Sequence, residues 1–184
     1  MKITRIILPP DLIPAKQQAA EAVADRMSGL VRRHLRDRNA SRPANQYGLP
    51  KTNYYDDAAE SVTTEVSGNV ASVVIDKEGV ALHYEGGTVY PKKKALAVPI
   101  DPAVAGIWPS EANALANEDE YALIWPKNSA HGFIKDVEQN QLLWLLIPKA
   151  TIPADPTVLP TEDEFSNAAM DAVWDLMDAM GVPA

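Results

Sequence analysis

The chain contains no cysteine among its 184 residues. This absence excludes disulfides, thiolate zinc sites and a cysteine nucleophile, and it is typical of proteins from reducing compartments. No run of about 18 consecutive apolar residues occurs, so we expect no segment that spans a membrane. The N-terminal stretch MKITRIILPPDLIP lacks a long apolar core followed by a small-residue cleavage site, and we therefore expect no signal peptide.

Histidine is scarce, and its placement gives no sign of a catalytic or metal site. His34, His83 and His131 are far apart in the sequence and none belongs to a pair with ligand spacing. The motifs HExxH, GxSxG, GxGxxG and the Walker loop are all missing. Adjacent acids such as Asp56 and Asp57 are typical of solvated first helical turns. We therefore predict no enzyme and no cofactor, with a hydrolase built from residues distant in sequence as one alternative.

Charge is unevenly distributed along this acidic chain, whose formal net charge is −8. Residues 26–51 hold seven basic residues and one acidic residue, whereas 155–184 hold seven acidic residues and no basic one. Such polarity suits pairing between unlike surfaces of neighbouring copies, and it argues against a dedicated DNA-binding protein. The basic cluster also fits a helix C-terminus, where cations oppose the helix dipole. A small nucleic-acid-binding or adaptor module that uses 26–51 remains the alternative.

Hydrophobic periodicity predicts a helix at each end of the chain. Apolar residues recur every three or four positions from Pro14 to about Asn39, with Pro14 suited to the first turn. A short helix is expected after Asn53, a plausible N-cap. The last helix is expected to begin at the capping-box pair Thr161 and Glu164 and to end near Met180, before Gly181.

The middle of the chain reads as strands. Gly68-Asn69 predicts one hairpin and 139–141 a second. The stretches 88–90 and 95–100 read as two strands or one broken strand, and 121–125 reads as a further one. The stretch LLWLLI, 142–147, is apolar on both faces, which favours the middle of a sheet and a second cover that another subunit could supply. We predict an α+β fold in one domain, 1–184, with a loop insertion at 101–120. Its mostly antiparallel sheet of about five or six strands packs against a long N-terminal helix and a C-terminal helix.

A glycine- and lysine-rich segment precedes the strand ALAVPI. Glycine permits a tight turn with positive φ, and proline stiffens the chain after it. Three consecutive lysines fit a solvated strand edge that resists aggregation, although a phosphate contact is the alternative. The expected structural turn consists of Gly86, Gly87 and Pro91.

Tryptophans are expected either in the core or as interface anchors. Trp108 lies in a polar loop, where an exposed aromatic residue often marks a contact surface. The predicted interface combines this residue with arginines, lysines and one further tryptophan. Its candidate residues are Arg32, Arg33, Arg36, Lys92, Lys93, Lys94, Trp108 and Trp144.

The order of three segments resembles that of Mu-like phage virion-morphogenesis proteins. These segments are HLRDRNASRPANQYGLPKTNYYDDAAESV at 34–62, VALHYEGGTVYPKKKALAVPI at 80–100 and DPTVLPTEDEF at 155–165. The resemblance implies a minor tail, tail-completion or head–tail joining protein that forms a ring, often sixfold, at the head-proximal end of the tail. It implies no enzyme and no cofactor. The implied partners are other copies, other tail or neck proteins, and DNA that passes through the lumen without specific binding. The implied locations are the virion and, during assembly, the host cytoplasm.

Overall fold

The computed structural model describes residues 2–7, 16–43, 47–114 and 117–181. Contacts between residues group the chain into two compact units. The first unit comprises 1–41, 53–86 and 154–184, and the second comprises 42–52 and 87–153. The single domain expected over 1–184 stays a prediction.

The first unit consists of helices and a three-stranded antiparallel sheet with the order β1-β3-β2. Helix α1 packs against β2, β3, α2 and α4. The elements are β1 (Lys2–Ile7), α1 (Lys16–Ser41), α2 (Tyr54–Glu60), β2 (Val62–Ser67), β3 (Val70–Ile75), α3 (Val80–Glu85) and α4 (Glu162–Ala179).

The core of the first unit forms around the apolar stripe of α1. Val23, Met27, Val31 and Leu35 recur at helical spacing, and all are fully buried. The predicted helix is confirmed and continues to Ser41, whereas the position expected for Pro14 lies outside the described residues. This stripe is therefore the surface on which the sheet and α4 assemble.

Short-range signals set the other helix ends of this unit. Thr161 Oγ1 accepts the N–H of Glu164, whose carboxylate accepts the N–H of Thr161, so the predicted capping box is confirmed. Asn53 occupies the N-cap of α2 as expected, but its side chain makes no capping hydrogen bond. The hairpin at Gly68 is confirmed, with a φ of 60° at the glycine.

The second unit contains two antiparallel sheets. One has four strands in the order β5-β8-β7-β6, and the other pairs β4 with β9. The single sheet of five or six strands that we expected is therefore wrong, because the strands divide among three sheets. The elements are β4 (Gly87–Val89), β5 (Leu96–Pro99), β6 (Tyr121–Ile124), β7 (Gly132–Asp136), β8 (Leu142–Ile147) and β9 (Ala150–Ile152).

Strand β8 lies between β5 and β7, as its apolar composition predicted. Its Trp144 packs with Ile134 of β7 in the core of the second unit. Val104 and Ala114, from the segment expected to be a polar loop insertion, are buried in the same core. The segment 101–120 does connect β5 with β6, but it also covers part of the sheet.

Two elements had no signal that we recognised in the sequence. β1 pairs with β3, although its residues read only as a short apolar stretch, and α3 forms just before the glycine pair at 86–87. No helix in the described part of the chain is long and apolar enough to cross a membrane.

Candidate assembly surface

Arg32, one of the predicted interface residues, is used by its own fold. Its guanidinium donates to the carbonyl oxygen of Val62 at 2.7 Å and to Ser28 Oγ at 3.3 Å. These bonds hold the C-terminal half of α1 against the start of β2. Arg32 is therefore a structural residue, and we withdraw it from the candidate interface.

Two other arginines of the basic segment pair with the acidic C-terminal segment inside the chain. Arg26 forms an ion pair with Asp175, and Arg38 forms one with Asp155. Because Arg26 reaches the end of α4 while Arg38 reaches the residues before its start, α1 and α4 run antiparallel. Part of the charge pairing expected between neighbouring copies is therefore made within the chain.

Arg33 and Arg36 remain available to a partner. Both side chains are exposed, and neither forms an ion pair with any residue that the structure describes. They are three positions apart on α1 and so lie on one face of the helix. This pair is a basic patch that α1 leaves exposed to another molecule.

The residues before α4 form a hydrogen-bonded group around Asp155. The hydroxyl of Thr157 donates to Asp155 Oδ1 at 2.6 Å, and the N–H of Thr157 donates to the same oxygen at 3.1 Å. Arg38 and His34 both bond to the carbonyl oxygen of Thr157, at 3.1 and 2.9 Å. The Thr157 hydroxyl, aided by the charge of Arg38, holds the pKa of Asp155 below its ordinary value.

We expect this lowered pKa to make stability depend on pH. A depressed carboxyl pKa stabilises the fold above the unfolded value of about 4, and this contribution is lost as the pH falls through the folded pKa. Thr157→Val removes the hydroxyl, so the variant should be less stable than the wild type at neutral pH and should lose less stability on acidification. Urea midpoints measured from neutral pH down to acid check this.

Thr63→Val, on the exposed face of β2, is the matched control, because the Thr63 hydroxyl has no hydrogen-bond partner among the described residues. Its acid sensitivity should match that of the wild type. Parallel pH curves for Thr157→Val and the wild type would contradict the role given to the Thr157 hydroxyl.

The outer face of α4 is both apolar and acidic. Met170 and Trp174 are exposed, at 57% and 45% of their full areas, and they lie four residues apart on one face. Asp163 and Asp178 flank them, and α4 contains no basic residue. Sequence reasoning did not single out this face. The signal was available, since Trp174 lies nine residues, or about two and a half turns, after the buried Phe165.

The predicted lysines lie directly before an edge strand. β5 pairs only with β8 among the described strands, and Lys92, Lys93 and Lys94 are exposed. The N–H of Ile100 donates to Leu143 O at 2.9 Å. Because backbone groups alternate in direction along an antiparallel strand, those of the preceding Pro99 point away from β8, to the open side of the sheet. Proline there costs no ladder bond. The lysines and Pro99 together fit the predicted protection of a strand edge.

The two predicted tryptophans have opposite environments. Trp108 is 60% exposed, as a contact residue should be. Trp144 is fully buried, and its Nε1 donates to the carbonyl oxygen of Ile107 at 3.1 Å. Trp144 is therefore a core residue and is withdrawn from the candidate interface.

Both glycines of the predicted turn have positive φ, but Gly86 ends α3 and Gly87 begins β4, so they join a helix to a strand and do not form a tight turn. Gly86 and Gly87 have φ values of 74° and 157°, and Pro91 follows β4. A Cβ at Gly86 would lie 2.6 Å from the backbone nitrogen of Ala154. The glycine is therefore required both by its conformation and by the close approach of a second chain segment.

The candidate site that results is a surface with separated charges. Arg33 and Arg36 form its basic part, and the outer face of α4 forms its acidic and apolar part. Among the described residues, no group of three or more His, Asp or Glu side chains could hold a metal ion. No protein-family model, no curated protein and no solved structure matches this chain.

Proposed function

We propose that this protein is a structural component of a phage or prophage virion. Its role is that of a tail-completion or head–tail joining protein, which forms a ring with other copies at the head-proximal end of the tail. The order of the segments at 34–62, 80–100 and 155–165 supports the assignment to this class. The ring has one subunit beside the next, with DNA passing through the lumen unbound.

The observation that carries the assembly is the charge separation on the first unit. Arg33 and Arg36 are exposed without an ion pair among the described residues, while the outer face of α4 is acidic. Two such different patches suit a head-to-tail contact, in which the basic patch of one copy meets the acidic patch of the next. A contact of this kind closes into a ring when its rotation permits.

Apolar contacts supply most of the association energy. An exposed ion pair contributes only about 0–1 kcal/mol, so charges mainly select the partner and set the orientation. Met170 and Trp174 lie among the acids of α4 and provide apolar area. Trp108 provides a second exposed aromatic contact on the other unit, for the next copy or for another tail or neck protein.

Mass in solution tests the ring. We expect the wild type to assemble into rings, alone or when tail tubes are added, and to assemble less well as salt is raised. Arg33→Glu combined with Arg36→Glu should abolish the ring, because the reversed charges meet the acids of α4. Lys16→Glu is the matched control, since it reverses an exposed base at the other end of α1.

A wild type that stays monomeric at high concentration, both alone and with tail tubes, would overturn the proposal. A gel shift with DNA distinguishes the proposed ring component from the nucleic-acid-binding alternative. A ring component should show little DNA affinity, whereas a nucleic-acid-binding module should bind with a steep salt dependence that the double arginine variant reduces.

A further inference from the structure

Strand β6 is an open edge of the four-stranded sheet. Among the described strands it pairs only with β7. The N–H of Val137 donates to Glu120 O at 2.8 Å, which identifies these two residues as a hydrogen-bonded pair. Alternation along an antiparallel ladder then directs the backbone groups of Ala122 and Ile124 to β7. The N–H and C=O of Leu123 are left pointing to the open side.

Large apolar side chains accompany this open edge. Leu123 is 59% exposed, and Trp125 is half exposed just beyond the end of the strand. The ring of Trp125 packs so closely over Gly132 that a Cβ there would lie 2.3 Å from it. Its Nε1 donates to Ser129 O at 3.2 Å. The ring is therefore held in position before any partner arrives, which lowers the entropy cost of a contact.

The opposite edge of the same sheet is protected. β5 carries Pro99 at an outward position, so one N–H that could bond a foreign strand is missing. Three exposed lysines precede it. Proteins commonly use proline and lysine in this way to prevent edge-to-edge pairing. β6 has neither within its four residues, so one edge of the sheet is closed to other strands and the other is open.

We propose that β6 is a two-fold contact between two copies of this chain, formed by antiparallel pairing of β6 with β6 of the second copy. Leu123 of one copy then lies opposite Leu123 of the other, and each donates its N–H to the other's C=O. The same register places Trp125 opposite Tyr121 of the second copy. The outward-pointing carbonyl of Tyr121 accepts the N–H of Trp125, while the N–H of Tyr121 is already bonded to Asn117 O.

The charges at the two ends of β6 favour this arrangement. The exposed acids Glu118, Asp119 and Glu120 precede the strand, and the exposed Lys127 follows it. Antiparallel pairing of β6 with β6 of the second copy brings the acidic end of each strand next to the lysine of the other. The same contact therefore forms at both ends of the paired strands. This is the self-complementarity that a two-fold interface requires.

Pairing of β6 with β5 of another copy is disfavoured by the same charges. In an antiparallel arrangement the acids before β6 would lie beside Asp101, which follows β5. The lysines before β5 would lie beside Lys127. Like charges would meet at both ends, and directly opposed like charges destabilise paired strands.

The two-fold contact does not rest on the proposed function. The ring contact uses Arg33, Arg36 and the outer face of α4, none of which is in β6. A protein with both contacts would form assemblies larger than a single ring, and one with only the β6 contact would form dimers. Either contact can therefore fail while the other is observed.

Leu123→Lys tests the contact by sedimentation over a range of protein concentrations. Two lysines would face each other on the two-fold axis, and we expect association through this edge to weaken by at least about tenfold. Where rings form, assemblies larger than a single ring should disappear. Tyr90→Lys is the matched control, because it places a lysine at another large exposed side chain of the second unit (68%) outside β6, and it should associate as the wild type does.

Cross-linking tests the register. The chain has no cysteine, so Leu123→Cys introduces a single thiol. In hydrogen-bonded antiparallel pairs the Cα atoms are about 5.5 Å apart, within the range that a disulfide spans. Tyr90→Cys, at another exposed site of the second unit (68%), measures random collision. We expect Leu123→Cys to form disulfide dimers much faster than Tyr90→Cys. Equal rates, or unchanged association of Leu123→Lys, would overturn the proposal.

Discussion

Replacement of Trp144 with alanine is expected to destabilise the second unit by about 3–5 kcal/mol, the usual cost of removing a large buried aromatic side chain. Trp144 is fully buried, in the core cluster that also contains Ile134 and Val104. The substitution leaves a cavity and also removes the hydrogen bond from Nε1 to Ile107 O. Urea unfolding followed by circular dichroism measures the loss, and hydrogen exchange at the amides of β7 and β8 locates it.

Trp108→Ala is the control for this prediction because it makes the same chemical change at an exposed site. Substitutions at exposed positions usually change stability by less than about 0.5 kcal/mol. Trp108 is 60% exposed, so its loss should leave the unfolding free energy nearly unchanged. If the two variants lost similar stability, the placement of Trp144 in the core would be wrong.

Replacement of Gly86 with alanine is expected to cost more than about 3 kcal/mol. Its φ of 74° and ψ of 172° belong to a region that essentially only glycine occupies, and a side chain there costs about 1–3 kcal/mol by itself. The new Cβ would also lie 2.6 Å from the nitrogen and 3.0 Å from the Cα of Ala154. Backbone atoms cannot rotate away, so this steric cost adds to the conformational one.

Gly29→Ala should have the opposite effect and raise the free energy of unfolding. Gly29 lies inside α1, and a Cβ there would meet no atom within 4 Å. Alanine in a helix interior is more stable than glycine by about 0.5–1 kcal/mol. Thermal unfolding of the two glycine variants beside the wild type checks both predictions. A Gly86→Ala protein as stable as Gly29→Ala would show that the chain at 86 and 154 can separate without cost.

The features predicted correctly from the sequence depend on residues close together in the chain. The capping box at Thr161, the hairpin at Gly68 and the stripe of α1 each arise from neighbours within about four positions. The interior position of β8 was also predicted, because a strand that is apolar on both faces must be covered by neighbours.

The features that were missed depend on which distant segments meet. Nothing in the composition of β4 and β5 indicates that they join different sheets, or that residues 2–7 pair with β3. Tryptophan content likewise did not reveal that Trp144 is buried and Trp174 exposed. Burial of a given aromatic residue depends on the strand or helix that covers it, and the covering element lies elsewhere in the sequence.

The candidate surface shows the same division. Charge counts along the chain located a basic segment and an acidic one, and that separation is present in the first unit. Only the packing of α1 against α4 decided that Arg26 and Arg38 form ion pairs within the chain. The same packing leaves Arg33 and Arg36 exposed. The apolar stripe of α1 predicts the direction in which each arginine points from the helix. It does not predict which acidic residue, if any, the arginine pairs with.

The sequence alone determined that this is an α+β chain with a long first helix, a capped last helix and antiparallel hairpins, because local hydrogen bonds and periodic burial specify such elements. The tertiary structure decided how the strands divide among three sheets, which charges pair internally and which strand edge stays open. These outcomes result from contacts between segments far apart in the chain. The energy of each such contact depends on which surfaces the complete fold buries.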